Sequence, residues 1–308
     1  MPLDRIKPRG LRAGDRVAVV APSGAVDADR LEIGLQAVRA LGLEPVVFPH
    51  VLDRDLYMAG SDRSRLEDLN RAFENPDTKA VFCARGGAGA LRLLGGLDRL
   101  RLREARKILL GCSDITVLLQ FFWRQCGLVG FHGPMVAGDF ARGLVDGESL
   151  RQLFEDHRAP LILRADFDVL RSGRARGPLV GGCLSLIVAL EGTRYSLDAR
   201  GCVLFLEDLA TRPYQIERML THLKLSGKLE GARAIVFGEM KDCGAPPGVS
   251  YTLKDVIARA LEDIKVPVVL GFPSGHVTQA GRTLPIGVEV TLDTDAGTLT
   301  IEEEAVDS

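Results

Sequence analysis

The chain is poor in histidine, has one tryptophan and lacks paired cysteines: five His, Trp123 alone, and six Cys at 83, 112, 126, 183, 202 and 243 with no C-x-x-C spacing. Cysteines scattered through apolar runs such as Ala80-Val81-Phe82-Cys83 read as reduced, buried thiols of a cytosolic protein, not as a disulfide framework. H-E-x-x-H and His-x-His patterns are missing too, so neither a catalytic metal nor another cofactor is expected. No run of about 18 apolar residues could span a bilayer. The opening Met1 to Gly10 puts charges and prolines where a signal peptide needs an apolar core, so a cytoplasmic protein without membrane contact is expected. Charge of one sign is lacking as well. Lys and Arg number 39 against 41 Asp and Glu, a net −2 that offers no field for phosphate backbones, so nucleic acid is not an expected partner. The basic stretch Arg99, Arg101, Arg103, Arg106 and Lys107 is interrupted by Asp98 and Glu104 and reads as solvated surface.

What is present is ordinary globular usage, 46% hydrophobic and 26% charged, over 308 residues, a length that favours two domains. The first half alternates buried-strand runs (Arg16 to Pro22, Pro45 to Phe48, Lys79 to Ala84, Lys107 to Leu110) with helix-spaced apolar residues (Leu31, Leu35, Val38, Leu41; Leu66, Leu69, Phe73). That is the β-turn-α pattern of an α/β parallel sheet, whose ligands gather at the strand C-termini. Between about 142 and 177 the pattern weakens, and a link is placed at 159–176 between an N-terminal domain, 1–158, and a C-terminal domain, 177–308. The second half shows strands at Cys202 to Leu206, Ala232 to Phe237, Val266 to Leu270 and Pro285 to Leu292, a helix carrying Ile216, Met219, Leu220 and Leu223, and a closing hairpin around Asp293 to Gly297.

Four segments can carry chemistry. Ser113 follows Gly111 at a strand-to-helix junction, where a sharp turn can lift a hydroxyl above the sheet and the Asp114 N–H can face a developing oxyanion. Ile115 leaves Gly-x-Ser-x-Gly incomplete, and the plainer alternative is that Ser113 or Asp114 caps the helix carrying Val117, Leu118 and Phe121. Arg85-Gly86-Gly87-Ala88-Gly89 lets backbone amides approach an anion, yet lacks the Lys-Ser/Thr ending of a phosphate loop; a plain tight turn is the alternative. His276 lies in a glycine- and proline-rich loop after an apolar strand, the kind of place a general base occupies, and His132 in Gly130-Phe131-His132-Gly133 competes with it. Glu207 and Asp208 end a strand, where one carboxylate can orient the base, while Asp208 can instead cap the helix from Tyr214 to Leu225.

Val19-Val20-Ala21-Pro22-Ser23, Arg85 to Gly89, Gly111-Cys112-Ser113-Asp114-Ile115-Thr116, Gly181 to Leu186, Leu204 to Asp208, and Gly271 to His276 with Leu284 to Gly287, in that order, resemble the LD-carboxypeptidase family of serine peptidases. That family includes the murein tetrapeptide carboxypeptidases and the microcin C self-immunity proteins. The resemblance implies an N-terminal parallel-sheet domain, Rossmann-like or flavodoxin-like, and a C-terminal mixed α/β domain with a β-barrel-like sheet. It also implies Ser113 as nucleophile, His276 as base and Glu207 as its orienting carboxylate, with oxyanion donors from the backbone of Asp114, Gly86 and Gly87, in a cleft between domains. Arg85 becomes a candidate for the substrate carboxylate. By the same resemblance the substrate is a muropeptide tetrapeptide, cut between diaminopimelate and the terminal D-Ala in wall recycling, and a homodimer is implied.

Ala88, Cys183 and Thr211 depart from the family pattern by standing where an aromatic residue, asparagine and glutamate are common, and Val277 to Gly281 lacks a familiar asparagine. These departures bear on substrate preference. The microcin-immunity branch, acting on peptidyl- or aminoacyl-nucleotides, is the nearest alternative, disfavoured by the short Leu190 to Phe205 connection and by Trp123 lying elsewhere. A cysteine amidotransferase using Cys112 and a non-enzymatic wall-peptide binder are the alternatives of other classes.

Overall fold

The computed structural model describes residues 4–155 and 159–307, so the boundary expected at 158 falls outside the described residues. The chain divides into two units: Met1–His157, Gln279–Gly287 and Glu304–Ser308 form unit 1; Arg158–Thr278 and Val288–Glu303 form unit 2. In unit 1, β1 (Arg16–Val20), β2 (Glu44–Val47), β3 (Ala80–Cys83), β4 (Ile108–Gly111) and β5 (Gly130–His132) alternate with helices α1 (Ala28–Ala40), α2 (Asp62–Glu74), α3 (Arg99–Ala105) and α4 (Thr116–Phe121). Unit 2 contributes β6 (Leu161–Arg164), β7 (Asp168–Arg171), β8 (Arg174–Cys183), α5 (Leu184–Ala189), β9 (Val203–Glu207), α6 (Pro213–Leu225), β10 (Ala234–Phe237), α7 (Leu253–Ala260) and β11 (Val268–Leu270). Near the end come β12 (Leu284–Ile286), in unit 1, and the pair β13 (Glu289–Asp293) and β14 (Thr298–Ile301), in unit 2.

The unit 1 sheet runs β12-β5-β4-β3-β1-β2, with β1 to β5 parallel and β12 antiparallel on β5. The parallel strands thus follow the flavodoxin-like order 2-1-3-4-5, in which the chain changes direction across the sheet at β1 and opens a crevice beyond the carboxyl ends of β1 and β3. β3 and β4 are buried along their whole lengths, the condition under which continuous apolar runs rather than alternating ones form strands. Helices flank them where local chemistry permits. Asp27 accepts from Arg30 N (3.0 Å) to cap α1, which buries Leu31, Leu35 and Val38; Ser61 accepts from Ser64 N (3.1 Å) to cap α2, which buries Leu69 and Phe73.

Unit 2 is built on a mixed sheet, β6-β14-β13-β8-β9-β10-β11-β7, parallel from β8 to β11 and antiparallel on both sides of that block. The stretch 159–176, expected as a link, includes the two edge strands β6 and β7 and the start of β8. Its short polar-flanked runs are what edge strands look like when one side lacks a neighbour. Pro285 to Leu292, expected as one strand, is two. Gly287 (φ +98°) breaks it, with β12 going to the first sheet and β13 to the second, and a Cβ at 287 would meet the Trp123 ring at 2.5 Å. β13 and β14 pair as the closing hairpin. Among the described residues no helix is long and apolar enough to cross a membrane.

Candidate active site

In unit 1 the loops after β1, β3 and β4 meet at the carboxyl edge of the sheet. β4 ends at Gly111, Cys112 is extended (φ −139°), and Ser113 then takes φ +60° before Thr116 opens α4. A left-handed φ costs an L-residue about 1–2 kcal/mol, so the neighbours must impose it. The turn leaves Ser113 partly exposed, whereas Cys112 is buried. Gly86 lies directly against the serine: a Cβ there would sit 2.8 Å from Ser113 Cβ, 3.0 Å from Oγ and 3.4 Å from Asp114 N. Ser113, Asp114 N and Gly86 therefore share one place, as an oxyanion arrangement requires. Gly87 (φ +116°) is exposed and its α-carbon faces Gly24, while Arg85 is exposed and donates from Nη1 to Ala25 O (2.8 Å).

Neither Ser113 nor Asp114 caps α4, whose N-cap is Ile115 with no side-chain cap bond. Asp114 is buried, and its Oδ2 accepts from Ser23 Oγ (2.7 Å) and Ala90 N (2.8 Å). Burial raises its pKa above the usual carboxylate value, against those two hydrogen bonds and the nearby Arg65 guanidinium.

Unit 2 joins Glu207, at the end of β9, to His276, in the loop after β11. Glu207 is fully buried, and its Oε2 meets His276 Nδ1 at 2.6 Å and accepts from His276 N at 3.1 Å. Donation of Nδ1–H to the carboxylate corresponds to the tautomer with its lone pair on Nε2. Two glycines permit this approach: a Cβ on Gly275 (φ +94°) would lie 2.5 Å from Glu207 Cγ, and one on Gly238 2.9 Å from Glu207 Cβ. Glu239, beyond β10, fixes the next residues by accepting from Thr278 N (3.0 and 3.1 Å) and Thr278 Oγ1 (2.5 Å).

The competitors fall elsewhere. His132 lies wholly buried in β5, in register with Gly111 and Leu284. Asp208 does not cap the 213–225 helix, which starts with Pro213 and a Gln215 side chain accepting from Arg212 N (3.0 Å). It instead accepts from Ser185 N and Oγ (2.9 and 2.5 Å), Leu209 N (2.8 Å) and Thr211 Oγ1 (2.9 Å), tying the start of α5 to the loop after β9. Cys183 is paired in register with Glu207, and burial, with Glu207 and Asp208 adding, holds its thiol pKa well above the ordinary value. Sequence reasoning did not name Gly238 or Glu239, and it included Ser23 and Gly275 only within the ordered family segments, without a role. Gly275, immediately before a candidate histidine, was the one legible signal.

Unit 1 thus has a flavodoxin-ordered sheet with a serine at positive φ after β4, and unit 2 a mixed sheet with a histidine held against a buried carboxylate. The pattern of the LD-carboxypeptidase N-terminal domain matches residues 17–133, and that of the LD-carboxypeptidase C-terminal domain matches 176–292. The chain is 36% identical over 288 residues to the murein tetrapeptide carboxypeptidase of Pseudomonas aeruginosa, covering 90% of this chain and 93% of that one. It is 26% identical over 330 residues to the microcin C7 self-immunity protein MccF of Escherichia coli, covering 96% and 95%. The solved muramoyltetrapeptide carboxypeptidase of Oxalobacter formigenes superposes with a TM-score of 0.84 at 29% identity, over 95% of this chain and all of that one. The chain belongs to the LD-carboxypeptidase family.

Proposed function

We propose that the protein is a serine carboxypeptidase that removes the terminal D-Ala from muropeptide tetrapeptides by cutting its bond to the L-configured centre of diaminopimelate, in the cytoplasm, as a step of wall recycling. The observation that carries the reading is the 2.6 Å contact of Glu207 with His276 Nδ1, the contact by which a carboxylate orients a histidine base. Ser113, Glu207 and His276 act as one triad. Ser113 Oγ attacks the scissile carbonyl and passes its proton to His276 Nε2. The tetrahedral oxyanion is held by backbone N–H groups of Asp114 and the Gly86-Gly87 turn, each worth about 3 kcal/mol in comparable sites. Collapse expels D-Ala, whose amine takes the proton from His276, leaving an acyl ester on Ser113. Water then gives a proton to His276, attacks the ester and restores the serine. Arg85 is the candidate partner for the substrate carboxylate. All six cysteines are free thiols, which supports a reducing compartment.

Two features favour this branch over nucleotide-conjugate hydrolysis: residues 190–202 make only a short connection from α5 to β9, and Trp123 is engaged in packing on Gly287. The test is mass spectrometry after incubation with a tetrapeptide, a tripeptide control and an aminoacyl-nucleotide. D-Ala release that vanishes in Ser113→Ala supports the peptidase. Cleavage of the nucleotide conjugate alone supports the other branch, and saturable binding without cleavage indicates a binder.

A further inference from the structure

The Asp114 carboxylate has no place in the triad, yet it is buried and stands next to the serine. One oxygen, Oδ2, accepts from Ser23 Oγ in the loop after β1 (2.7 Å) and from Ala90 N at the end of the glycine loop after β3 (2.8 Å). These bonds close a ring. From Ser23 the chain passes to Gly24, whose N–H donates to Gly86 O (3.0 Å), and Gly86 in turn lies against Ser113. Gly87 is backed by Gly24, since a Cβ on Gly87 would lie 3.2 Å from the Gly24 α-carbon. The outside of the ring is braced too: Ala59 N donates to Ser23 O (3.0 Å), and the buried Arg65 guanidinium donates to Pro22 O. A Cβ on Gly89 would meet Arg65 Nη1 at 2.7 Å, so the same guanidinium packs against the glycine loop.

We propose that Asp114 is a positioning residue which, through Ser23 and Ala90, holds the Gly86-Gly87 backbone in register with Ser113 and so sets the geometry of the oxyanion donors. The proposal rests on Ser113 being the nucleophile. The physical requirement is an acceptor in place of Oδ2, because misplacing a donor by a fraction of an ångström forfeits much of an interaction that matters only in the transition state. An asparagine can present one oxygen to both donors; alanine cannot.

The test compares full-length Asp114→Ala, Asp114→Asn, Ser23→Ala and Ser113→Ala in D-Ala release, with kcat, KM, the pH profile and melting temperature measured for each. Asp114→Ala should lose about 100-fold in kcat, the loss seen when one oxyanion donor is removed, with KM within about threefold, as expected when a transition-state interaction is lost. Asp114→Asn should recover most of that loss, and Ser23→Ala should fall between. The acid limb of the pH profile should stay in place, since the base is untouched. Should Asp114→Ala fail to fold, Ser23→Ala carries the test alone. Wild-type kcat in Ser23→Ala, or no rescue by Asp114→Asn, overturns the proposal. Turnover retained in Ser113→Ala overturns the nucleophile reading instead, and the two failures are told apart by that control.

Discussion

Ser113 at φ +60° makes a prediction that separates backbone strain from chemistry. Replacing the serine with alanine removes the hydroxyl and keeps the Cβ in the left-handed region; replacing it with glycine removes both. The left-handed conformation costs an L-residue about 1–2 kcal/mol, and glycine gives back about 0.5–1 kcal/mol through its larger unfolded-state entropy. At the midpoints of those ranges Ser113→Gly should therefore be more stable than Ser113→Ala by about 0.75 kcal/mol, or roughly 1.5–3 °C in the melting transition of a unit this size. Little packing confuses the comparison, because the side chain is partly exposed. Both variants should lose D-Ala release by about 10⁶-fold, as when a serine nucleophile is removed elsewhere. Urea unfolding followed in unit 1 and a turnover assay measure the two effects. Equal stability, or Ser113→Ala the more stable, would refute the claim that the turn stores strain.

Glu207→Gln should reduce turnover by about 10⁴-fold, since an amide can hold His276 in the wrong tautomer; Gly275→Ala, whose Cβ would lie 2.5 Å from Glu207 Cγ at φ +94°, should lower turnover in the same direction, and near-normal rates in either would count against the Glu207–His276 assignment. Asp208→Ala leaves the Ser185 and Leu209 donors without their Asp208 acceptor and should cost about 1–3 kcal/mol in denaturant unfolding of unit 2. All six cysteines are buried, so a thiol reagent should react with none in the native protein within minutes and with six after unfolding. Lys107 is buried against the carbonyls of Ala72 and Asn75, and burial lowers its pKa from 10.5 to about 8. The unfolded chain then binds the extra proton between those values, so the contribution of Lys107 to stability should rise as pH goes from about 8 to 10.5, measured against Lys107→Met.

Local pattern was enough for the parallel strands, because Val17 to Val20, Ala80 to Cys83 and Ile108 to Leu110 are apolar on both faces and no other element suits such runs at that length. It also sufficed for the helices with a side-chain cap and a single apolar stripe, such as 28–40 and 62–74. Pro285 to Leu292 misled for a physical reason: composition reports that a run is apolar, not that Gly287 lets it leave one sheet for another. Edge strands 161–164 and 168–171 were hidden because an edge tolerates polar residues that a central strand does not.

The linear chain was thus sufficient for the α/β class, for the serine turn as a place of interest and, through the ordered family segments, for naming Glu207 and His276. It could not rank His276 over His132 or Glu207 over Asp208 on local grounds, since each pair sits in similar loops or at one strand end. Folding gives the members of each pair different surroundings. Burial in β5 places His132 in register with Gly111 and Leu284, four donors engage Asp208 away from the histidine, and the bare α-carbons of Gly238 and Gly275 let Glu207 reach His276 across 69 positions of sequence. Such contacts depend on which loops the sheets bring together, and no local spacing encodes that.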